Sequence, residues 1–380
     1  MNTMLAQIYS LPSLLRDIFD PFDDAVRSTL DDNLCRSVKR LYVTGCGDSH
    51  HAALGSELAF EALSGVPVEP MTAMQFARYA AADLPEAGPR GNVVVGISVS
   101  GEVSRTVEAL KLAQRAKATT IALTATPGSR MAQTAERALL VQAPPFPDPP
   151  GTVTPGVRSY TSNLIALYLM AVRLGEARGR LAADEGNHIR DELRRLADAV
   201  ERTLAVCDGA ARSLAEEWAD AQEFVFLGAG PNYGTALFSA AKVLEASGDA
   251  VVAQDTEEWA HLQYFARAVS TPTFIISAGG RDLSRAVEVA VAAKTIGRSV
   301  VAVAPPSASA LSAVAARILL LPEGTREMFS PLVAAIPLEL FAAYRADVLS
   351  EPFFRAFGGG RSIEGGGGIS RIRTSAIIAD

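Results

Sequence analysis

Two short stretches bring hydroxyls and glycines to the point where a buried strand gives way to a helix. In GISVSGEVSRT, residues 96–106, the run Asn92–Val95 breaks into Ser98, Ser100, Gly101 and Ser104 just before the apolar spacing turns helical. In TGCGDSHHA, residues 44–52, Gly45, Gly47, Asp48 and Ser49 stand at the same kind of joint. Strand, Ser/Gly turn and helix start together leave backbone amides without intrahelical partners and aim the positive end of a helix dipole at one point, with hydroxyls as further donors. That point suits a phosphate, each charge-assisted bond contributing about 1.5–3 kcal/mol. The alternative is that Ser98 or Ser100 only caps the helix. Glycine-spaced turns such as Gly45–Gly47, or Gly228–Gly230 further on, also open many α/β units without binding anything.

The rest of the chain must supply elements that hold these joints. Its 380 residues, 49% of them apolar, suffice for one large or two ordinary cores. No apolar run approaches the roughly 18 residues of a membrane span. The N-terminal MNTMLAQIYSLPSLLRDIFD carries acids where a signal peptide needs a basic start, so a cytoplasmic protein without a membrane partner is expected. Cys35, Cys46 and Cys207 are odd in number and far apart, which suggests free thiols and no metal site. A net charge of −7 without a dense Lys/Arg stripe argues against nucleic acid. Small anions stay open, because a local nest of amides binds them whatever the overall charge.

Apolar β-type runs alternate with helical patterns, the signature of a parallel sheet flanked by helices, and the pattern runs twice. The first copy reads strand 41–45, helix 49–62, strands 66–70 and 92–98, helix 103–116, strands 119–123 and 138–141. The second reads 223–227, 233–247, 250–253, 273–277, 282–296, 299–303 and 317–321 in the same order. LYVTGCGDS answers FVFLGAGPN, and VVVGISVSGE answers TFIISAGGRD, which points to duplication. PPFPDPPGTVTP (144–155) is a loop, 158–175 and 188–206 have helical spacing, and a domain boundary is expected near Cys207–Ser213. The expected division is a helical lead-in over 1–37, domains over 38–206 and 213–350, with a helix at 328–347, and a glycine-rich tail over 351–380.

Taken together, GCGDSHHA and SVSGEVSRT resemble the sugar isomerase (SIS) domain, whose usual forms are close to GCGTSYHA and SQSGET. Both copies share the resemblance, over about residues 30–380. It implies an α/β fold of two tandem SIS domains, each a flavodoxin-like three-layer sandwich. The pattern is similar to the isomerase half of amino-sugar phosphate synthases and to stand-alone isomerases, deaminases and deglycases. Nothing resembles a glutaminase half, so no glutaminase activity is expected. The resemblance implies Ser49, Ser98 and Ser100, with Gly47 and Gly101, as the phosphate grip. GVRSYT (156–161) is similar to the family's GVAST segment and implies Ser159 as a sugar contact. AAKVLEASGDAVVAQDTEEWAH (240–261) is similar to KLKEI…ELKHG, implying Glu245 as the proton-transfer base and His261 as the ring-opening acid/base, with Lys242 beside them.

The chemistry asks for such a pair. Aldose–ketose interconversion needs a carboxylate to move a carbon-bound proton and a group titrating near neutrality to open the hemiacetal. A solvated Lys242–Glu245 ion pair is the alternative, and His50 or His51 either lines the site or packs. Copy two carries SAGGRD where copy one has SVSGEV, so one copy keeps the grip and the other the acid/base pair. The resemblance also implies a homodimer with shared sites and a small-molecule sugar phosphate ligand; no cofactor is expected. Val99 and Val103 replace the family's usual Gln and Thr, and Asp48 replaces a Thr, favouring an aminated substrate. The tail has no lysine after Lys294, so Arg373 is assigned to an anionic group and the tail to a lid. The expected function is ring opening and C1/C2 proton transfer on a sugar 6-phosphate, giving isomerisation, deamination or deglycation. The alternative is a non-catalytic sugar-phosphate sensor. A dinucleotide-binding reading is weaker, since neither glycine turn completes GxGxxG.

Overall fold

The computed structural model describes residues 2–362 and 375–377. Its contacts divide the chain into two compact units, one of residues 14–145, 159–194 and 357–380, the other of residues 1–13, 146–158 and 195–356.

The first of these holds a parallel sheet of β1 (Arg40–Gly45), β2 (Val68–Thr72), β3 (Asn92–Ile97), β4 (Thr119–Thr124) and β5 (Arg137–Leu140) in the order β2-β1-β3-β4-β5. Every residue of β3 and β4 is buried, which is why these strands read as unbroken runs and not as alternating ones. The chain also forms α1 (Thr3–Tyr9), α2 (Leu11–Thr29), α3 (Asp32–Ser37), α4 (Asp48–Ser64), α5 (Ala73–Gln75), α6 (Ser104–Arg115), α7 (Arg130–Thr134), α8 (Val157–Ala177) and α9 (Ala183–Glu217). Val107, Leu110 and Ala113 of α6 pack with Val94, Ala122 and Met131. Arg190, 3% exposed, clamps α9 to α2 and α8 through both oxygens of Asp23 at 3.0 and 3.1 Å and through Glu176 at 2.8 Å.

The other unit repeats the plan with β6 (Glu223–Gly228), α10 (Pro231–Ala246), β7 (Ala250–Asp255), α11 (Thr256–His261), β8 (Thr273–Ile276), α12 (Leu283–Thr295), β9 (Val300–Ala304), α13 (Ser309–Val314), β10 (Arg317–Leu320), α14 (Ser330–Ala334) and α15 (Ile336–Leu349). Its order β10-β9-β8-β6-β7 is the first sheet's, listed from the other edge. Phe224, Phe274 and Phe341 form an aromatic wedge with centroids 5.0–5.2 Å apart for the two pairs that Phe341 makes. Arg345, 1% exposed, donates to both oxygens of Asp249 and to the carbonyls of Trp218, Ala219 and Ala221, tying α15 to the ends of α9 and α10.

Three expectations are corrected. The boundary near Cys207–Ser213 lies inside α9, a continuous 35-residue helix, and the compact units change over between Arg194 and Arg195. The lead-in over 1–37 is not one body: α1 belongs with α15, Asn2 donating to Ala343 O at 2.9 Å, whereas α2 and α3 belong with the first sheet. The helix expected at 328–347 is two, because Pro337 has no amide for the hydrogen bond that would continue α14. Among the described residues no helix is long and apolar enough to cross a membrane.

Replacing Arg345 with Leu strands the Asp249 carboxylate and three carbonyls in a buried place. Urea denaturation should register a loss of about 3–5 kcal/mol, with the far-ultraviolet spectrum of the folded state retained.

Candidate functional site

In the order β2-β1-β3-β4-β5 the crossover from β1 runs one way and that from β3 the other. Open α/β sheets form a ligand crevice at such a switch, outside the carboxyl ends of the strands. β1 and β3 pair with Gly45 opposite Ile97, so GCGDS and SVSG leave the sheet side by side. Gly45 is required here: a Cβ would meet that of Ser49 at 2.6 Å.

Neither serine of the second turn caps α6. The N-cap position is Val103, without a side-chain cap bond, and α4 likewise starts from Gly47, at φ +56°, without one. Ser98, 4% exposed, accepts from Gly101 N at 3.2 Å, and the exposed Ser100 accepts from Glu102 N at 3.3 Å. Gly101 holds φ +65°, and a Cβ on it would strike Ser129 Oγ at 2.0 Å. The alternative of a capping serine is thus set aside. Two uncapped helix starts and the hydroxyls of Ser49, Ser98 and Ser100 belong to the carboxyl ends of two adjacent strands, a donor set suited to an anion.

The surrounding charges qualify that picture. Asp48 Oδ1 lies 3.7 Å from His51 Nδ1, so its carboxylate faces a titratable ring. Burial, and then the neighbouring His51, pushes His50 down to about 4, leaving it neutral at physiological pH. Arg105, the second residue of α6, brings a guanidinium to the same helix start, where buried Glu108 pairs with both Arg105 and Arg78. Sequence reading missed Arg105, for which only its closeness to the serine turn was a signal. Ser159 is half-buried in the first turn of α8, and among the described residues its side chain makes no hydrogen bond. Arg373 lies outside the described residues, as does half of the 351–380 tail; Ser375 O accepts from Ser104 Oγ at 2.5 Å and Ala376 O from Arg105, so residues 375–377 lie against the start of α6.

The acid/base candidates lie in the other unit. Lys242 is fully buried on α10, and its Nζ reaches Glu245 Oε2 at 2.5 Å while lying 5.0 Å from the Phe238 ring centroid. The pair is therefore not a solvated surface pair, and Lys242, expected to touch substrate, faces Glu245. Arg355 donates to Leu244 O, Glu245 O and Ala246 O at 2.7–3.0 Å, capping the helix end that carries Glu245. His261 closes α11 and is well exposed; its Nε2 meets Glu257 Oε1 at 3.0 Å. Arg285 grips the same carboxylate through Nε at 2.5 Å and Nη2 at 3.1 Å, and Arg285 and His261 together hold Glu257 below the usual carboxylate range. The i, i+4 spacing of Glu257 and His261 was a legible signal that sequence reading passed over. Arg285 had none.

In copy two the equivalent turn carries its own acid. Ser277 Oγ donates to Asp282 Oδ1 at 3.0 Å and accepts from Gly279 N at 3.1 Å, and the left-handed residue is Gly279, two places after the serine instead of three. Asp282 Oδ2 is buried without a hydrogen-bond partner. Burial, and then the Glu327 charge, pushes its carboxyl up to about 6 against the pull of the Ser277 bond. Among the described residues no group of three or more His, Cys, Asp or Glu could hold a metal ion.

Residues 34–173 match the SIS domain family. The chain is 28% identical over 366 residues to a glutamine–fructose-6-phosphate aminotransferase (isomerizing) of Synechocystis, covering 90% of this chain and 56% of that protein. It thus spans about half the length of the curated relatives it matches. The C-terminal domain of glucosamine-fructose-6-phosphate aminotransferase from Francisella tularensis superposes with TM-score 0.78 at 20% identity, covering 91% of this chain and 96% of that one. Glucosamine-6-phosphate deaminase from Thermotoga maritima gives 0.67 at 18% identity, covering 90% and 94%. The two five-stranded parallel sheets match the α/β fold of tandem SIS domains.

Asp282 sets a pH test. Its folded-state pKa lies above the unfolded value, so the stability it contributes is complete below about pH 4 and is lost as pH rises through about 6. Asp282→Asn should match the parent near pH 4 and gain about 2–3 kcal/mol by pH 7, read from urea midpoints across the series.

Proposed function

We propose that the chain is an enzyme acting on a sugar 6-phosphate that bears an amino group. The phosphate sits at the crevice between β1 and β3, held by Ser49, Ser98 and Ser100 and by the amides at the starts of α4 and α6. His261 moves the proton between the ring oxygen and the C1 hydroxyl that opens the hemiacetal. Glu245 takes a carbon-bound proton from one of C1 and C2, the electron pair forms an enediol-type intermediate, and the same carboxylate returns the proton to the other carbon. Where the nitrogen sits decides between isomerisation, deamination and release of an amino acid. Relatives named for fructose 6-phosphate and glucosamine 6-phosphate support this substrate class.

The observation that carries the reading is the Lys242–Glu245 pair. A fully buried ammonium beside a part-exposed carboxylate fixes where the carboxylate points, as a proton-transfer base requires. A sensor has no use for such an arrangement.

A homodimer with shared sites belongs to the same proposal. Beside His261, Leu262 and Phe265 are 58% and 75% exposed, an apolar surface that a second copy of this chain would cover.

Glu245→Gln should lower kcat on the turned-over sugar phosphate by about 10²–10⁴-fold while calorimetry finds its binding intact; turnover near the parent rate would remove Glu245 from the mechanism. Ser98→Ala/Ser100→Ala should instead raise KM, with kcat changed far less. Phe265→Asp should shift sedimentation from dimer to monomer, and a parent already monomeric at micromolar concentration would end the dimer reading.

A further inference from the structure

At the opposite end of α4 from the serine crevice lies a cavity of about 800 Å³, lined by Arg36, Ser64, Gly65, Arg178, Arg180 and Glu185 among others. With 17 residues in α4, the two places stand about 25 Å apart along the helix axis.

Two of the three guanidiniums are fixed by backbone. Arg178 donates to Ser64 O at 3.3 Å, Cys35 O at 3.3 Å and Val38 O at 2.6 Å. Arg36 donates through Nε to Ala177 O at 3.1 Å and through Nη2 to Asp32 at 3.2 Å. Asp32 is shared with Arg173, at 2.5 Å, and so neutralises Arg36 only in part. Arg180 is exposed, its amide donates to Gly175 O at 2.9 Å, and among the described residues its guanidinium makes no hydrogen bond or ion pair. It lies flat over Gly65, which holds φ +67° and whose missing Cβ would sit 3.1–3.5 Å from Arg180 Cδ, Nε and Cζ. Counting Arg36, Arg173, Arg178 and Arg180 against Asp32 and Glu185, two positive charges remain. Capping carbonyls at the ends of α3 and α4 accounts for Arg178 and leaves Arg180 without a structural task.

We propose that this cavity is a second anion site, one that takes the phosphate of a small phosphorylated, hydroxyl-rich molecule. A dianion matches the excess charge, and guanidinium forks suit its oxygens. The volume falls in the range of small-molecule pockets, which exceeds what a bare phosphate needs. The lining residues include no aromatic ring on which a base would stack, and Ser64, Glu185 and the backbone offer partners for hydroxyls. Glu185 opposes the phosphate and sets a modest affinity.

Calorimetry with glucose 6-phosphate tests this, using the full chain and variants that separate the two sites. The Ser98→Ala/Ser100→Ala protein should retain one binding event per chain. Adding Arg180→Ala should weaken that event about tenfold, consistent with a charge-assisted bond, and Glu185→Gln should tighten it severalfold. Arg180 is exposed and unpartnered, so an unchanged thermal melt is expected for its variant. Loss of all binding in the serine variant at millimolar ligand overturns the proposal. So does residual binding indifferent to both Arg180→Ala and Glu185→Gln. Should the serine substitutions leave binding wholly unchanged while Arg180→Ala reduces it, the serine grip fails and the arginine site stands.

Discussion

The parallel pairing of β1 with β3, Gly45 opposite Ile97, is the constraint on which the candidate site depends. It places the ends of two strands that lie about fifty residues apart in the chain next to each other. Their crossovers diverge, which leaves a crevice at the two turns, and residues 375–377 lie against the start of α6. The demands on the turns follow from that crowding. Gly45 must leave room for Ser49, and Gly101 must leave room for Ser129 and adopt a conformation that side chains avoid. A slip in this register would separate the serines from one another whatever their identity.

The two copies build different turns on one plan. Ser98 and Ser277 both end a third strand and both amides bond back to the neighbouring strand, to Leu123 O and Val303 O at 3.1 Å. After that the chains part. Copy one turns through Ser100 and Gly101 and starts α6 without a side-chain cap. Copy two turns one residue earlier, at Gly279, and its serine is engaged by Asp282, an internal anion. With its one hydroxyl hydrogen given to Asp282, Ser277 has none to offer another acceptor. What copy two supplies is a buried lysine beside Glu245 and a histidine held by a carboxylate.

Much of this was legible in the chain. The unbroken apolar runs of β3 and β4 identified buried parallel strands, and the alternation of strand and helix gave the fold and its duplication. The Ser/Gly joints located the crevice at the ends of β1 and β3. Other features had no local signal. Whether Ser98 caps α6 depends on which residue takes the N-cap position, and Val103 takes it because of how the turn leaves β3. The boundary expected near Cys207–Ser213 is absent because α9 continues through it, its own Ala211 and Leu214 still buried there. Lys242 on an amphipathic helix read equally well as solvated, and only the packing of α10 made it buried.

The sequence by itself determined the repeated βα plan, the glycine-permitted turns and the residue types able to grip a phosphate or move a proton, because those follow from periodicity, backbone sterics and side-chain chemistry within short windows. Tertiary structure alone decided which of those groups have partners: Glu245 with buried Lys242, His261 with Glu257 and Arg285, Asp282 with Ser277, and Arg180 with none among the described residues. Burial and charge pairing arise between segments far apart in the chain, and no local pattern records them.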